Sequence, residues 1–177
     1  MLFNNYYAST IKTLFSQQKE RNAMHIRQAQ LSDLPIIKNI LHQSVKHYLP
    51  LVYQPEVIDY FLDYHNDQSI SKGITDGYTL LAFQDNIAVA TANITNNYVG
   101  GMYVLPGYTR HKLGSCLIKE ILAYAEKANL NRVWLEATLG SEEFYLSLGF
   151  TMLATRYTPM ENNMRLYYFD MEKHLNY

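Results

Sequence analysis

One stretch, residues 101–150, limits the fold of this chain more than any other part of the sequence. It begins with an apolar segment at residues 101–104, followed by a turn that contains proline and glycine. Apolar residues then recur at every fourth position over residues 113–125, which is typical of a helix that buries one face. A second apolar segment and a short helix follow. Strands joined by a helix normally lie parallel, so this stretch predicts two parallel strands with the turn at their shared end.

The turn before the predicted helix, which spans about residues 112–129, has the chemistry of an anion site. The first N–H groups of a helix have no partner within it and lie at the positive end of its dipole, so they suit a phosphate group. Arg110, His111 and Lys112 add positive charge there. A solvent-exposed basic loop explains the same residues equally well, so the composition alone leaves both interpretations open.

Two motifs in this stretch resemble the acetyl-coenzyme A (acetyl-CoA) signature of the GNAT superfamily of N-acetyltransferases. Residues 104–118 are similar to the family's Val-x-Pro-x-Tyr segment and the glycine-containing turn that follows it. Residues 141–150 are similar to its Phe-Tyr-x-x-x-Gly-Phe ending. The motifs occur in the family's order and spacing, and the resemblance extends over about residues 25–173.

The resemblance implies an α/β (mixed α+β) fold with a central mixed, mostly antiparallel sheet of about seven strands and about four flanking helices. Residues 24–177 are predicted to form this single domain, and Gly100 and Gly101 predict a bulge in the strand before the turn. Patterning predicts helices at about residues 32–48, capped by Ser32, and 55–64, and strands at residues 78–83, 87–94, 98–104, 132–136, 151–157 and 164–171. The resemblance adds a first strand at residues 24–29.

Residues 1–23 are predicted to be an amino-terminal extension. Apolar and aromatic residues recur in it at helical spacing, which favours an amphipathic helix that packs on the domain or mediates self-association. Alternatively, translation begins at Met24, since residues 24–29 resemble the family's first strand. A homodimer would form through this helix or through a sheet edge.

The resemblance also implies acetyl-CoA as cosubstrate, held between the two parallel strands and by the turn. It assigns this role to Met102, Tyr103, Val104, Thr109, Arg110, His111, Lys112, Gly114, Ser115, Thr138, Ser141 and Phe144. Four of these, Thr109, Lys112, Thr138 and Ser141, stand where the family usually has other residues. At Lys112 the family prefers glycine, which adopts backbone angles that lysine tolerates poorly.

The implied reaction is transfer of an acetyl group to a primary amine of a small molecule or peptide, by direct attack in a ternary complex. Tyr145 matches the family tyrosine that protonates the leaving thiolate, although a tyrosine packed in the core would explain its position as well. Glu136, Glu142 and His47 are three open alternatives for the base.

The loop between the first two predicted helices lines the acceptor site in the family. Here it supplies His47, Tyr48 and Tyr53 as candidate substrate-binding residues, and this neutral, aromatic lining favours a modestly polar or aromatic acceptor. Half-buried tyrosines that only pack are the alternative.

A second functional class is a non-catalytic acyl-CoA-binding or interaction module that keeps the fold but has altered ligand residues. Retention of Tyr145 and Gly114 favours the enzyme.

Composition excludes several other classes. A net charge of −1 over 177 residues gives no general attraction to nucleic acid. A single cysteine allows no internal disulfide and is compatible with the cytoplasm, and no apolar segment is long enough to suggest a membrane span. No metal is expected, because paired cysteines or histidines at metal-binding spacing are missing.

Overall fold

The computed structural model describes residues 24–175, so the predicted helix in residues 1–23 lies outside the described residues. The helices are α1 (Leu34–Tyr48), α2 (Pro55–Tyr64), α3 (Asp67–Asp76), α4 (Leu113–Lys127) and α5 (Glu142–Ser147). The strands are β1 (His25–Gln28), β2 (Tyr78–Gln84), β3 (Ile87–Thr95), β4 (Tyr98–Val104), β5 (Arg132–Thr138), β6 (Thr151–Pro159) and β7 (Arg165–His174). Short 3₁₀ turns also lie at Leu31–Asp33, Leu49–Leu51 and Glu161–Asn163.

The seven strands form one sheet in the order β1-β2-β3-β4-β5-β7-β6. Only β4 and β5 run parallel, and every other neighbouring pair is antiparallel. This confirms the predicted mixed, mostly antiparallel sheet. The helix α4 connects the two parallel strands, as the spacing of its apolar residues predicted.

The parallel strands β4 and β5 pair over a single position and then diverge. Tyr98 is the only β4 residue in register with β5, opposite Trp134. The Trp134 N–H donates to the carbonyl of Asn97 at 2.9 Å. On its other side β4 shifts register against β3 between Thr91 and Asn93, and Gly101 adopts a φ of +57°, so the predicted bulge is present. The main chain of β4 beyond Tyr98 therefore faces a gap instead of a neighbouring strand.

Helices cover both faces of the sheet. On one face Leu117, Ile118 and Ile121 of α4 are fully buried against strand residues such as Val89 and Leu135. On the other face α1 and α3 pack on β2 and bury Ile37, Ile40, Leu41, Ile70, Ile74 and Leu81. Burial of each such aliphatic side chain contributes about 1.5–3 kcal/mol. None of the helices within residues 24–175 has the length and apolar character of a bilayer-spanning segment.

Two details of the predicted helices are wrong. The helix α3 was not predicted, because its sequence is mostly polar and only Ile70 and Ile74 are buried. Ser32 does not cap α1, which begins at Leu34 after a 3₁₀ turn. The buried carboxylate of Asp33 instead accepts hydrogen bonds from the Arg27 guanidinium at 2.7 and 2.8 Å and from the Gln30 N–H at 2.8 Å. These bonds fix the turn that precedes α1 against β1.

Candidate active site

A cavity of about 170 Å³ opens where β4 and β5 diverge, and we call it the central cavity. It lies between the end of α2, β4, β5, α5 and the hairpin of β6 and β7. Its lining comprises Tyr60, Phe61, Tyr64 and His65 from α2 and its C-terminal end, residues 98–103 of β4, Glu136 and Thr138 of β5, Ser141, Tyr145, Thr158, Leu166 and Tyr168.

A second depression, the β4–β5 groove, shares Met102, Tyr103, Thr138 and Ser141 with the central cavity. Its further lining residues are Tyr48, Leu49, Leu51, Val52, Val104, Thr109, Leu139 and Gly140. Six residues that the sequence assigned to acetyl-CoA thus lie together in this groove: Met102, Tyr103, Val104, Thr109, Thr138 and Ser141. The remaining six lie in the turn before α4, in its first turn and on α5.

The turn before α4 exposes its three basic side chains to solvent. The first backbone hydrogen bond of the helix runs from the Cys116 N–H to the Lys112 carbonyl at 2.9 Å, so the N–H groups of residues 113–115 precede it. Arg110 and Lys112 adopt φ values of +65° and +62°. A left-handed conformation costs a lysine about 1–2 kcal/mol, so Lys112 has a backbone geometry that glycine adopts most readily and places an ammonium group there.

Gly114 lies where α4 approaches both β4 and α5. A Cβ atom at this position would come within 2.9 Å of Met102 Cε and 3.1 Å of Phe144 Cζ. Both of these neighbours were assigned to the cosubstrate site from the sequence. The absence of a side chain at Gly114 therefore allows the N-terminus of α4 to pack closely beside the groove.

Tyr145 is 8% exposed and its ring packs edge-on against Phe144 and Phe150, at centroid distances of 5.0 and 5.6 Å. Its side chain lines the central cavity, and its hydroxyl makes no hydrogen bond to any residue in the described part of the chain. Burial raises the pKa of this hydroxyl, so it stays protonated at neutral pH. Tyr145 is thus both a core residue and a free proton donor facing the cavity.

Glu136 is the one base candidate whose side chain lines the central cavity. Glu136 is exposed over the residue as a whole, but partial desolvation of its carboxyl and, to a smaller extent, the nearby Asp170 carboxylate raise the pKa of that carboxyl. Asp170 faces Glu136 across the β5–β7 register but is paired with Arg156 at 2.9 Å. Within residues 24–175 no ion pair or hydrogen bond engages the Glu136 side chain, so its carboxylate is available to a ligand.

The other two base candidates lie elsewhere. His47 is exposed and contacts the ring of Tyr48 edge-on at 4.7 Å, and it does not line the central cavity or the groove. Glu142 begins α5, and its Oε2 atom is buried without a hydrogen-bond partner. Its charge makes a small contribution to the raised pKa of Tyr53, and Glu142 lines neither the central cavity nor the groove.

The candidate acceptor residues Tyr48 and Tyr53 occupy different environments. Tyr48 lines the β4–β5 groove. The hydroxyl of Tyr53 donates to the carbonyl of Tyr167 at 2.7 Å and accepts from the Leu139 N–H at 2.8 Å. Burial is the main reason that the pKa of Tyr53 is raised. Tyr53 therefore connects the loop before α2 to β7 and to the loop that follows β5.

Sequence reasoning missed a hydrogen-bonded chain beside the central cavity. The ring Nε2 of buried His65 lies 3.1 Å from the hydroxyl of Tyr103, and Nε2 of His42 lies 2.9 Å from the His65 carbonyl. Burial lowers the pKa of His65 to about 4, with a smaller contribution from His42, so the ring is neutral at pH 7. On the same strand the carbonyl of Val104 accepts from the buried Ser44 hydroxyl at 3.0 Å. No local sequence pattern marks these polar groups.

The cavity wall is also more aromatic than the acceptor loop suggested. Tyr64, Tyr98 and Tyr168 line it, and burial raises the pKa of Tyr64 and Tyr98. These residues come from α2, β4 and β7, so only the folded topology brings them together. Nowhere in residues 24–175 do three or more His, Cys, Asp or Glu residues cluster as a metal site would require.

Comparison with solved structures gives many similar folds. A GCN5-related N-acetyltransferase of Rhodopseudomonas palustris superposes with a TM-score of 0.79 at 18% identity, covering 88% of this chain and 98% of the other. PaiA N-acetyltransferase of Thermoplasma acidophilum, in complex with coenzyme A, gives 0.69 at 20% identity, covering 86% and 99%. YncA of Salmonella typhimurium, with its cofactor acetyl-CoA, gives 0.62 at 18% identity, covering 88% and 95%.

At the level of sequence, a search of curated proteins gives no match. A family profile described as an acetyltransferase (GNAT) domain matches residues 51–175, which include both motifs, the whole lining of the central cavity and every groove residue except Tyr48 and Leu49. The chain belongs to the GNAT family of acetyltransferases.

Proposed function

We propose that the protein transfers an acetyl group from acetyl-CoA to a primary amine by direct attack in a ternary complex. The observation that carries this proposal is that the free hydroxyl of Tyr145 and the unpaired carboxylate of Glu136 line one cavity, which shares a wall with the β4–β5 groove. A proton donor and a proton acceptor are thus available in the same cavity.

The residues present fit acetyl-CoA as cosubstrate. The part of β4 beyond Tyr98 has no strand partner on the β5 side, so its main-chain groups can bond to an extended ligand. The first N–H groups of α4, with Arg110 and Lys112 beside them, suit the ligand's phosphates. When bound, acetyl-CoA supplies an acetyl group activated as a thioester.

The two proton transfers fall to residues of this chain. An alkylamine with a pKa of about 10.4 is almost fully protonated at pH 7, and removing that proton without assistance costs roughly 4 to 5 kcal/mol. Glu136 accepts this proton, and its raised pKa brings its carboxylate closer to the pKa near the working pH at which a general base is most effective. Tyr145 donates a proton to the departing thiolate, because burial keeps its hydroxyl protonated.

The test combines binding and turnover. Acetyl-CoA is titrated calorimetrically into the wild type and into Tyr145→Phe, and thiol release is then followed with a panel of primary amines. Tyr145→Phe should bind acetyl-CoA as the wild type does but lose about 10²–10⁴-fold in kcat, because it lacks the proton donor. Tyr157→Phe, which removes an exposed hydroxyl on β6, is the matched control and should change neither quantity.

Failure of the wild type to bind acetyl-CoA would contradict the proposal. Binding without turnover of any amine would instead favour a non-catalytic acyl-CoA-binding module. Retention of full activity by Tyr145→Phe would remove this tyrosine from the mechanism.

A further inference from the structure

The charges that line the central cavity restrict which amine can enter. Of the residues that the structure describes, Glu136 is the only carboxylate in the lining, and neither Lys nor Arg contributes to it. His65, the other lining residue able to carry charge near neutral pH, has its pKa lowered to about 4 by burial and is neutral at pH 7. The cavity therefore carries one negative charge and offers no cation to an anionic group.

The aromatic wall supplies a second kind of selectivity. Tyr60 and Tyr64 stack at a centroid distance of 6.2 Å on consecutive turns of α2. Tyr98 of β4 and Tyr168 of β7 also line the cavity. Ring faces attract an ammonium group and also pack against apolar carbon, so they favour a cation attached to a hydrocarbon body.

Size is the third restriction. The central cavity has a volume of about 170 Å³, and part of its wall is shared with the groove assigned to acetyl-CoA, so the acceptor has at most this volume. A protein cavity of about 150 Å³ accommodates a benzene-sized molecule, so the acceptor side has room for one ring or a short alkyl chain next to the reacting amine. A large polar body would remain outside.

We infer that the acceptor is a small primary ammonium ion on an apolar, ring-sized body that carries no carboxylate or phosphate, and that Glu136 selects it by pairing with the ammonium group. This inference rests on the proposed acetyl transfer and narrows its substrate class. It excludes free amino acids, because their carboxylate would enter the cavity without a partner beside the Glu136 charge, and burying an unpaired charge is strongly unfavourable.

The test uses a matched pair of acceptors, 2-phenylethylamine and phenylalanine, which differ by one carboxylate. With acetyl-CoA saturating, thiol release gives kcat/KM for each. We expect 2-phenylethylamine to be preferred by about 100-fold or more, because the extra carboxylate lacks a cation in the cavity. Comparable values for the two acceptors would overturn the inference.

Glu136→Gln keeps the size of the side chain and removes its charge. Calorimetric titration of 2-phenylethylamine into protein saturated with coenzyme A measures this effect without catalysis. We expect the Kd to rise by about tenfold or more in Glu136→Gln, and phenylalanine to be less strongly disfavoured by this variant. Glu126→Gln, which removes an exposed carboxylate at the end of α4, is the control and should match the wild type.

The outcomes separate the inference from the function on which it rests. If acetyl-CoA does not bind to the wild type, both fall. If acetyl-CoA binds and amines are acetylated, but phenylalanine competes equally or Glu136→Gln leaves the Kd unchanged, only the acceptor class is wrong. If acetyl-CoA binds and 2-phenylethylamine neither binds nor reacts, the acceptor class is likewise overturned.

Discussion

The substitution Tyr53→Phe removes one hydroxyl group and tests whether Tyr53 stabilises the fold or contacts the substrate. The Tyr53 hydroxyl joins two backbone groups that are distant in sequence, the carbonyl of Tyr167 and the N–H of Leu139. Phenylalanine keeps the ring, which lies 6.1 Å from that of Phe61, and removes only the bridging oxygen. The substitution therefore leaves one N–H and one carbonyl without their protein partner.

The expected magnitude follows from these two bonds. A neutral hydrogen bond contributes about 0.5–1.5 kcal/mol net, and both bonds lie in partly solvated surroundings. We expect Tyr53→Phe to lower the free energy of unfolding by about 1–2 kcal/mol. With a urea m-value of about 2 kcal/mol/M, the unfolding midpoint should shift down by roughly 0.5–1 M.

Urea unfolding followed by circular dichroism measures this change, and Tyr48→Phe is the matched control. The Tyr48 hydroxyl has no hydrogen bond to residues in the described range, so its loss should leave the midpoint unchanged. If Tyr53→Phe has the same midpoint as Tyr48→Phe, the structural role is refuted. A raised KM for the amine together with an unchanged midpoint would instead support the substrate contact that the sequence suggested.

Three further outcomes test the electrostatics and the strained turn. In urea titrations, Asp33→Asn should lower the free energy of unfolding by about 2 kcal/mol at pH 7. The hydrogen bonds from Arg27 lower the pKa of Asp33, so the stabilisation by its carboxylate is lost as the pH falls through that pKa, and the difference between variant and wild type should shrink below about pH 4. Lys112→Gly should raise the melting temperature slightly, because it removes the strain of a lysine in the left-handed conformation. In calorimetric titrations the same variant should bind acetyl-CoA about threefold more weakly at low salt, and the loss should be smaller at high salt, because it removes a charge that salt screens. Lowering the pH from 7 to 5 should reduce the free energy of unfolding of the wild type by about 2 kcal/mol, because histidine has a pKa near 6.5 in the unfolded chain but about 4 at buried His65. His65→Asn should lack this contribution in the same titrations.

The elements that the sequence predicted correctly depend on short-range patterns. The turn between β2 and β3 contains Asp85 and Asn86 at φ values of +54° and +63°, the conformation that these residues tolerate in tight hairpins. The spacing of apolar residues predicted α4 to within two residues at its C-terminal end. Local chemistry was decisive for these elements because their hydrogen bonds close within a few residues.

The helix α3 shows where local patterns fail. It contains Gly73 and only two buried residues, so its periodicity is weak. The signal that could have identified it is Asn66, whose side chain accepts from the Ser69 N–H at 2.9 Å as an N-terminal cap. Packing against α1 and the sheet, which no local pattern records, stabilises the rest of the helix.

The central cavity was beyond prediction because it depends on strand order. The strand β7 lies between β5 and β6, so Tyr168 comes to the edge of β5 beside the cavity instead of lying at the end of the sheet. In the sequence Glu136 was one of three open candidates for the general base. Only the folded sheet shows that Glu136 lines the central cavity and that the other two candidates do not. Four of the six groove residues that the sequence assigned to acetyl-CoA, Met102, Tyr103, Val104 and Thr109, lie within eight consecutive residues, so the local sequence already brings them close together.

The polar chain from His42 through His65 to Tyr103 links the stability of the fold to the charge of the cavity. It ties α1, the end of α2 and β4 together through one buried residue, because the His65 carbonyl bonds to His42 and the His65 ring bonds to Tyr103. Burial keeps His65 neutral, so this residue joins the elements without adding a positive charge to the cavity that Glu136 also lines. A protonated histidine there would neutralise the single negative charge that the inferred ammonium acceptor requires. The same desolvation that is expected to make the fold sensitive to acid would therefore also preserve the inferred selectivity for a cationic acceptor.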